Sequence, residues 1–263
     1  MNEIIRRAAW LTLLLAFALG LSPTLAQQKG TPTERLEALI ERVHTTNNDY
    51  FEKNWKKDLT EEQREEVLKN RPGLEFLAEF EALAVEAKGT DVSAKARTQE
   101  LSIQCDFQKK EDAQKTLDLL LTETIQSKAL ADLPSTLMYS YGPMAGEDRA
   151  QAALQTMLDK SEHKEVKASA LYSLATMSCG RKSTATQKAQ GRKYFERLIG
   201  EFGDLAPHGK TYKESAEAFL FELDHLQIGM VAPDFESIDE NGTKFKLSDY
   251  RGKVLVIDFW GNW

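Results

Sequence analysis

From about Thr33 to Leu226, apolar residues recur at spacings of three and four, and no other feature limits the fold as much. "TPTERLEALIERVHTTNNDYFEKNW" sets Leu36, Leu39, Ile40 and Val43 on one helical face. "TEEQREEVLKN" opens with Thr60 and Gln63 at capping-box spacing, which satisfies the free N–H groups of a first turn. "RPG" (Arg71 to Gly73) is a break, and "LEFLAEFEALAVEAKG" predicts an apolar-faced helix stopping at Gly89. "DVSAKARTQELSIQC", "KEDAQKTLDLLLTETIQSKAL", "EDRAQAALQTMLDKS", "HKEVKASALYSLATMSC", "TATQKAQGRKYFERLIGEFGDL" and "YKESAEAFLFELDHLQIG" continue the pattern. Short amphipathic segments joined by short breaks predict antiparallel helix pairs stacked into a small solenoid.

At Gly229 the texture changes. "MVAPDFESIDENGTKFKLSDYRGKVLVIDFW" carries proline, glycine and period-two patterning, and reads as strand, turn, strand, loop, strand. Asn241–Gly242 between "FESIDE" and "TKFKL" signals a hairpin, since both residues tolerate the positive φ of a type I′ turn. "VLVIDFW" is a continuous apolar run, as expected of a strand covered on both faces. The expected organisation is an all-α region over 27–228 and an incomplete α/β domain over 229–263, with the boundary near 226–229. In the helical region, "HKEVKASALYSLA" resembles half of a HEAT-type repeat and "GRKYFERLIGEFGD" half of a tetratricopeptide-type repeat. No fixed period runs through it.

Residues 1–26 have the layout of a secretory signal peptide. Arg6 and Arg7 precede the apolar run Ala8 to Leu21, and Thr24 and Ala26 stand at the −3 and −1 positions of a cleavage before Gln27. An uncleaved anchor is the alternative, since no charge interrupts Arg7 to Lys29. Either way the body is expected outside the cytoplasm, in the periplasm or an equivalent compartment. The formal net charge is −7, and Glu3, Arg6 and Arg7 contribute +1, leaving −8 for the rest. That balance argues against nucleic-acid partners. Cys105 and Cys179 either pair in an oxidising compartment or are two small buried hydrophobes. The four histidines, His44, His163, His208 and His225, have no metal-ligand spacing, and no phosphate loop or nucleophile elbow occurs. No cofactor is expected.

Three stretches carry a resemblance: "GMVAPDF", "LSDYRGKVLVIDFW" and "FWGNW", all between Gly229 and Trp263. Together they resemble the opening of a thioredoxin-fold redoxin, in particular the TlpA/ResA-type thiol-disulfide oxidoreductases of the broad AhpC/TSA–redoxin family. "FWGNW" follows the pattern F-W-A-x-W, with Gly261 in place of alanine. In that family the next residue is the first cysteine of W-C-x-x-C. The resemblance implies a protein disulfide or thiol substrate and a redox partner; the helical region is expected, separately, to dock protein partners. It also implies that Asp258 lies beneath the redox pair as a supporting general base, with Trp260 and Trp263 as walls of the site. A carboxylate buried in that apolar strand would have a raised pKa. The bland alternatives are a strand-end aspartate in solvent and two tryptophans in core packing.

The nucleophile of that motif would be the residue after Trp263. Three readings account for a sequence written this far: a UGA codon decoded as selenocysteine, a broken frame, or a genuine helical protein. The expectation is therefore an exported thiol-disulfide oxidoreductase whose Cys or selenocysteine lies just beyond Trp263. The alternatives are a non-enzymatic helical-repeat interaction protein with a redoxin stub, and a peroxiredoxin-like peroxidase. "FWGNW" lacks the proline-containing loop of the last.

Overall fold

The computed structural model describes residues 30–207 and 209–258. The expected signal peptide, Trp260 and Trp263 lie outside the described residues, as does His208.

Helix α1 (Pro32–Asn54) starts at Thr31, whose hydroxyl accepts from Glu34 N–H while the Glu34 carboxylate accepts from Thr31 N–H at 2.7 Å. The same reciprocal cap opens α2 (Glu61–Lys69), where Thr60 and Gln63 were expected to form it. A 3₁₀ turn (Leu74–Phe76) leads into α3 (Leu77–Glu86), and Gly89 follows with φ +77°, the left-handed conformation of a helix stop. Helices α4 (Asp91–Asp106) and α5 (Lys110–Glu123) come next.

A 3₁₀ turn (Lys128–Asp132) overlaps the end of the helical segment expected up to Leu130, and the stretch 133–145, which the sequence pattern left unassigned, is also helical: α6 (Leu133–Thr136), a π turn (Leu137–Tyr141) and α7 (Gly142–Ala145). Pro134 and Pro143 occupy first-turn positions, where a missing N–H costs no hydrogen bond. Then follow α8 (Glu147–Lys160), α9 (Lys164–Ser178), α10 (Ala185–Phe202) and α11 (Tyr212–His225). The last two open with further capping boxes, Thr184/Gln187 and Thr211/Glu214.

Sequence neighbours pack together: α3 on α4, α4 on α5, α8 on α9, α9 on α10, and α10 on α11. The helices bury two apolar cores. The larger joins Leu101, Leu117, Leu133, Tyr141, Leu154, Leu171 and Phe195, drawn from α4 through α10. The smaller joins Leu36 and Leu39 of α1 with Phe80 and Leu83 of α3 and Ala96 and Ile103 of α4. α4 therefore belongs to both, with Ala94, Leu101 and Cys105 in the larger core and Ala96 and Ile103 in the smaller.

After His225 the chain leaves helix. β1 (Glu236–Ile238) pairs antiparallel with β2 (Lys244–Lys246), in the register Glu236–Lys246, Ser237–Phe245 and Ile238–Lys244. The turn differs from the expected type I′. Gly242 N–H donates to Asp239 C=O at 3.0 Å, and Gly242 is at φ +82° while Asn241 is not at positive φ. Asp239 is the reason: its carboxylate accepts from the N–H groups of Asn241 and Thr243 at 2.9 and 2.8 Å, closing an Asx-type turn one residue earlier.

The expected buried strand in "VLVIDFW" is also corrected for its described part. Residues 254–258 belong to no strand, and Val254 and Val256 are 97% and 86% exposed. A strand exists through its ladder partner, and the described residues offer this segment none.

Candidate functional site

The redoxin resemblance lies in the tail, and the hairpin is its described frame. Asp234 accepts from Ser248 N–H at 2.8 Å, and these contacts hold its carboxyl below the usual range. Leu247 N–H donates to Phe235 C=O at 3.1 Å, continuing the ladder. Asp249 caps the 3₁₀ turn Leu247–Tyr250 by accepting from Lys246 N–H at 2.8 Å. Phe245 lies edge-on to Phe235 and Tyr250, with centroids 6.5 and 6.0 Å away. Lys253 Nζ stands 5.8 Å over the Tyr250 ring. A small aromatic cluster thus holds "APDF" against "LSDYRGK", two of the three stretches that carry the redoxin resemblance.

Asp258 stands at the end of this frame and is exposed. Trp260 and Trp263 fall outside the described residues.

The two cysteines are buried, unbonded thiols, so the disulfide alternative gives way to the small-hydrophobe alternative. Burial, with the Asp106 charge beside it, pushes the Cys105 thiol up to about 12. Burial also raises Cys179, against the opposing pull of Lys188 and Arg192. Thiols protonated in this way are poor nucleophiles. Among the described residues no group of His, Cys, Asp and Glu could hold a metal ion. None of their helices is long and apolar enough to cross a membrane.

One polar constellation escaped the sequence reading. On α4, Arg97, Glu100 and Gln104 are 5%, 7% and 4% exposed. Arg97 Nη1 lies 3.4 Å from Glu100 Oε2, and Glu100 Oε1 accepts from Gln104 at 3.1 Å and from Thr116 of α5 at 3.2 Å. Their spacing of three and four was the available signal, but on a helix it reads first as a solvated charged face.

No family model matches the chain, and no solved structure matches it. Short stretches do match curated proteins. The thiol-disulfide oxidoreductase ResA of Geobacillus kaustophilus is 44% identical over 45 residues, 17% of this chain and 26% of that protein. Its counterpart from Geobacillus thermodenitrificans is 42% identical over 45 residues, with the same coverage. That from Bacillus anthracis is 38% identical over 47 residues, 18% of this chain and 27% of that protein. The chain spans about a quarter of the length of the curated relatives it matches. These matches support a thioredoxin-like redoxin relationship for the matched stretch.

Proposed function

We propose that the protein is an exported thiol-disulfide oxidoreductase of the thioredoxin type, with 27–228 as a helical region that docks protein partners and 229–263 as the start of the redox domain. The observation that carries this reading is the set of three stretches ending in "FWGNW", supported by the short similarity to ResA proteins. The redox pair is a Cys or selenocysteine directly after Trp263, followed by x-x-Cys. Its first member, as thiolate or selenolate, attacks a substrate disulfide, releasing one substrate thiol and forming a mixed disulfide or selenenylsulfide. The second cysteine then attacks that bond, releasing the other substrate thiol and leaving the enzyme pair oxidised. Asp258 takes the proton of the second cysteine once a sheet encloses residues 254–258, and Trp260 and Trp263 wall the pair. A redox partner returns two electrons to reset it.

The test uses protein isolated from its own cells: intact mass, selenium content and reduction of a model protein disulfide. The expected result is a mass above the 29.7 kDa of this chain, even without residues 1–26, together with disulfide reduction. One selenium per chain would assign the selenocysteine form. Cys105→Ser and Cys179→Ser should each leave turnover unchanged, because those thiols lie in the helical cores. A mass at or below 29.7 kDa with no thiol exchange would overturn the reading in favour of a helical interaction protein. Peroxide consumption far exceeding disulfide turnover would favour the peroxidase.

A further inference from the structure

The smaller core is closed on one side by a lightly attached arm. α1 buries only Leu36 and Leu39, both in its first half, and α2 buries nothing. The Tyr50 hydroxyl donates to Val67 C=O at 2.9 Å, which ties α2 to α1. The arm ends at a pivot on the end of α4. There Arg71 donates to Asp106 C=O and lies 5.0 Å over the Phe107 ring, and a Cβ on Gly73 would stand 2.5 Å from that ring. Beyond the pivot α3 is fixed to α4, where Ser93 Oγ donates to Ala84 C=O at 2.8 Å.

Matched charge holds the arm down. Arg35 and Arg42 stand two turns apart on α1, and Glu79 and Glu86 stand two turns apart on α3. Arg35 pairs with Glu86 and Arg42 with Glu79, a register that an antiparallel helix satisfies. Leu36 and Leu39 enter a face made by Phe80 and Leu83 of α3 and Ala96 and Ile103 of α4. Arg42 also lies 5.4 Å over the Phe76 ring. The Glu86 and Arg42 side chains are about half exposed, so salt screens both pairs. Arg35 Nε is buried without a hydrogen-bond partner, a cost of the closed arm that release removes.

We propose that α1 is the releasable occupant of a helix-receiving groove on α3 and α4, and that the groove's partner is an amphipathic helix with two cationic residues two turns apart on either side of an aliphatic stripe. A helix of that kind lays its apolar face in a groove and its charges on the rim. The acidic rim of Glu79 and Glu86 selects the two cations, and α1 occupies the groove until such a helix displaces it. The inference deepens the docking role proposed for 27–228 and rests on it, while the redox chemistry plays no part.

The test uses the full chain, with a fluorescent synthetic peptide of residues 31–54 as the probe. In native-state hydrogen exchange at about 0.05 and 0.5 M salt, α1 amides should exchange faster than those of α9 and α10. The higher salt should speed α1 severalfold and leave α9 and α10 unmoved. Arg35→Glu with Arg42→Glu should bind the peptide severalfold more tightly than wild type, because apparent affinity follows the open fraction. Adding Glu79→Arg and Glu86→Arg to that variant restores the arm's pairing with signs exchanged and should abolish peptide binding. Equal peptide binding by wild type and the Arg35→Glu, Arg42→Glu variant would overturn the proposal, as would α1 protection equal to that of α9 at both salts. A concentration-dependent dimer with protected α1 amides gives the groove to a second copy and also overturns it. Should the charge variants fail to fold, the salt response of wild type decides. Disulfide turnover is not read in any of these measurements, so failure here leaves the redox reading standing and the reverse holds too.

Discussion

The helical region and the segment after His225 are both rich in large apolar residues, and they place them oppositely. Leu154, Leu171 and Phe195 are wholly buried, whereas Ile228, Val231, Val254 and Val256 are between 86% and 106% exposed. Burial contributes about 25 cal/mol for each Å² of apolar surface removed from water, so cooperative stability belongs to the helices. The tail holds its form through turns, caps and a three-ring cluster, which are local contacts. Its apolar run, uncovered among the described residues, is an aggregation-prone surface.

The sharpest way to break this comparison is paired truncation. Phe195→Ala removes a fully buried ring stacked on Phe219 at 5.0 Å and should cost about 3–5 kcal/mol. Val256→Ala should change stability by less than about 0.5 kcal/mol. Denaturant melts of both variants check this, and comparable losses would mean that the tail belongs to the cooperative core.

Next comes a test of how closely the helices approach. A Cβ on Gly191 of α10 would lie 2.3 Å from Cys179 Sγ and 3.0 Å from Ala175 C=O, so this glycine sets the α9–α10 spacing. Gly191→Ala should cost about 1–3 kcal/mol despite alanine's better helix propensity. Adding Cys179→Ala should recover part of that loss, a coupling that a double-mutant cycle measures. A milder expectation concerns the thiols. Native protein should resist alkylation at Cys105 and Cys179 near neutral pH, and both should react once the chain is unfolded, as mass spectrometry would report.

How much of this could be read from sequence depended on how local the cause was. The cap of α2 is legible because Thr60 and Gln63 lie three residues apart, and the faces of α1 follow from Leu36, Leu39, Ile40 and Val43. Helix at 133–145 was illegible because prolines and glycines, the usual breakers, occupy positions where a helix tolerates them. Glu100 was illegible because burial of a charged residue depends on other elements, here α5 with Thr116, arriving from elsewhere. The hairpin's existence was encoded in Asn241–Gly242, but its turn type was decided by the Asp239 side chain. At the candidate site, the motif spacing was visible while the environment of Asp258 was not, since a strand's burial belongs to its neighbours.

The smallest effect should come from the tail's own hydrogen bonds. Asp234 accepts from Ser248 N–H, and that contact depresses its pKa below 3.8. For a depressed carboxyl the contribution is present above the ordinary value and lost as pH falls through the folded one. Acidification below about pH 4 should therefore loosen the junction between "APDF" and "LSDY" before the helices melt. NMR amide shifts of Ser248 and Leu247 should titrate together there, with the α9 and α10 amides unmoved. Asp234→Ala should reproduce the acid form at neutral pH, with a melting temperature close to wild type. A global loss of stability in that variant would instead make the hairpin part of the helical body's cooperative unit, and the contrast between the two regions would be one of exposure only.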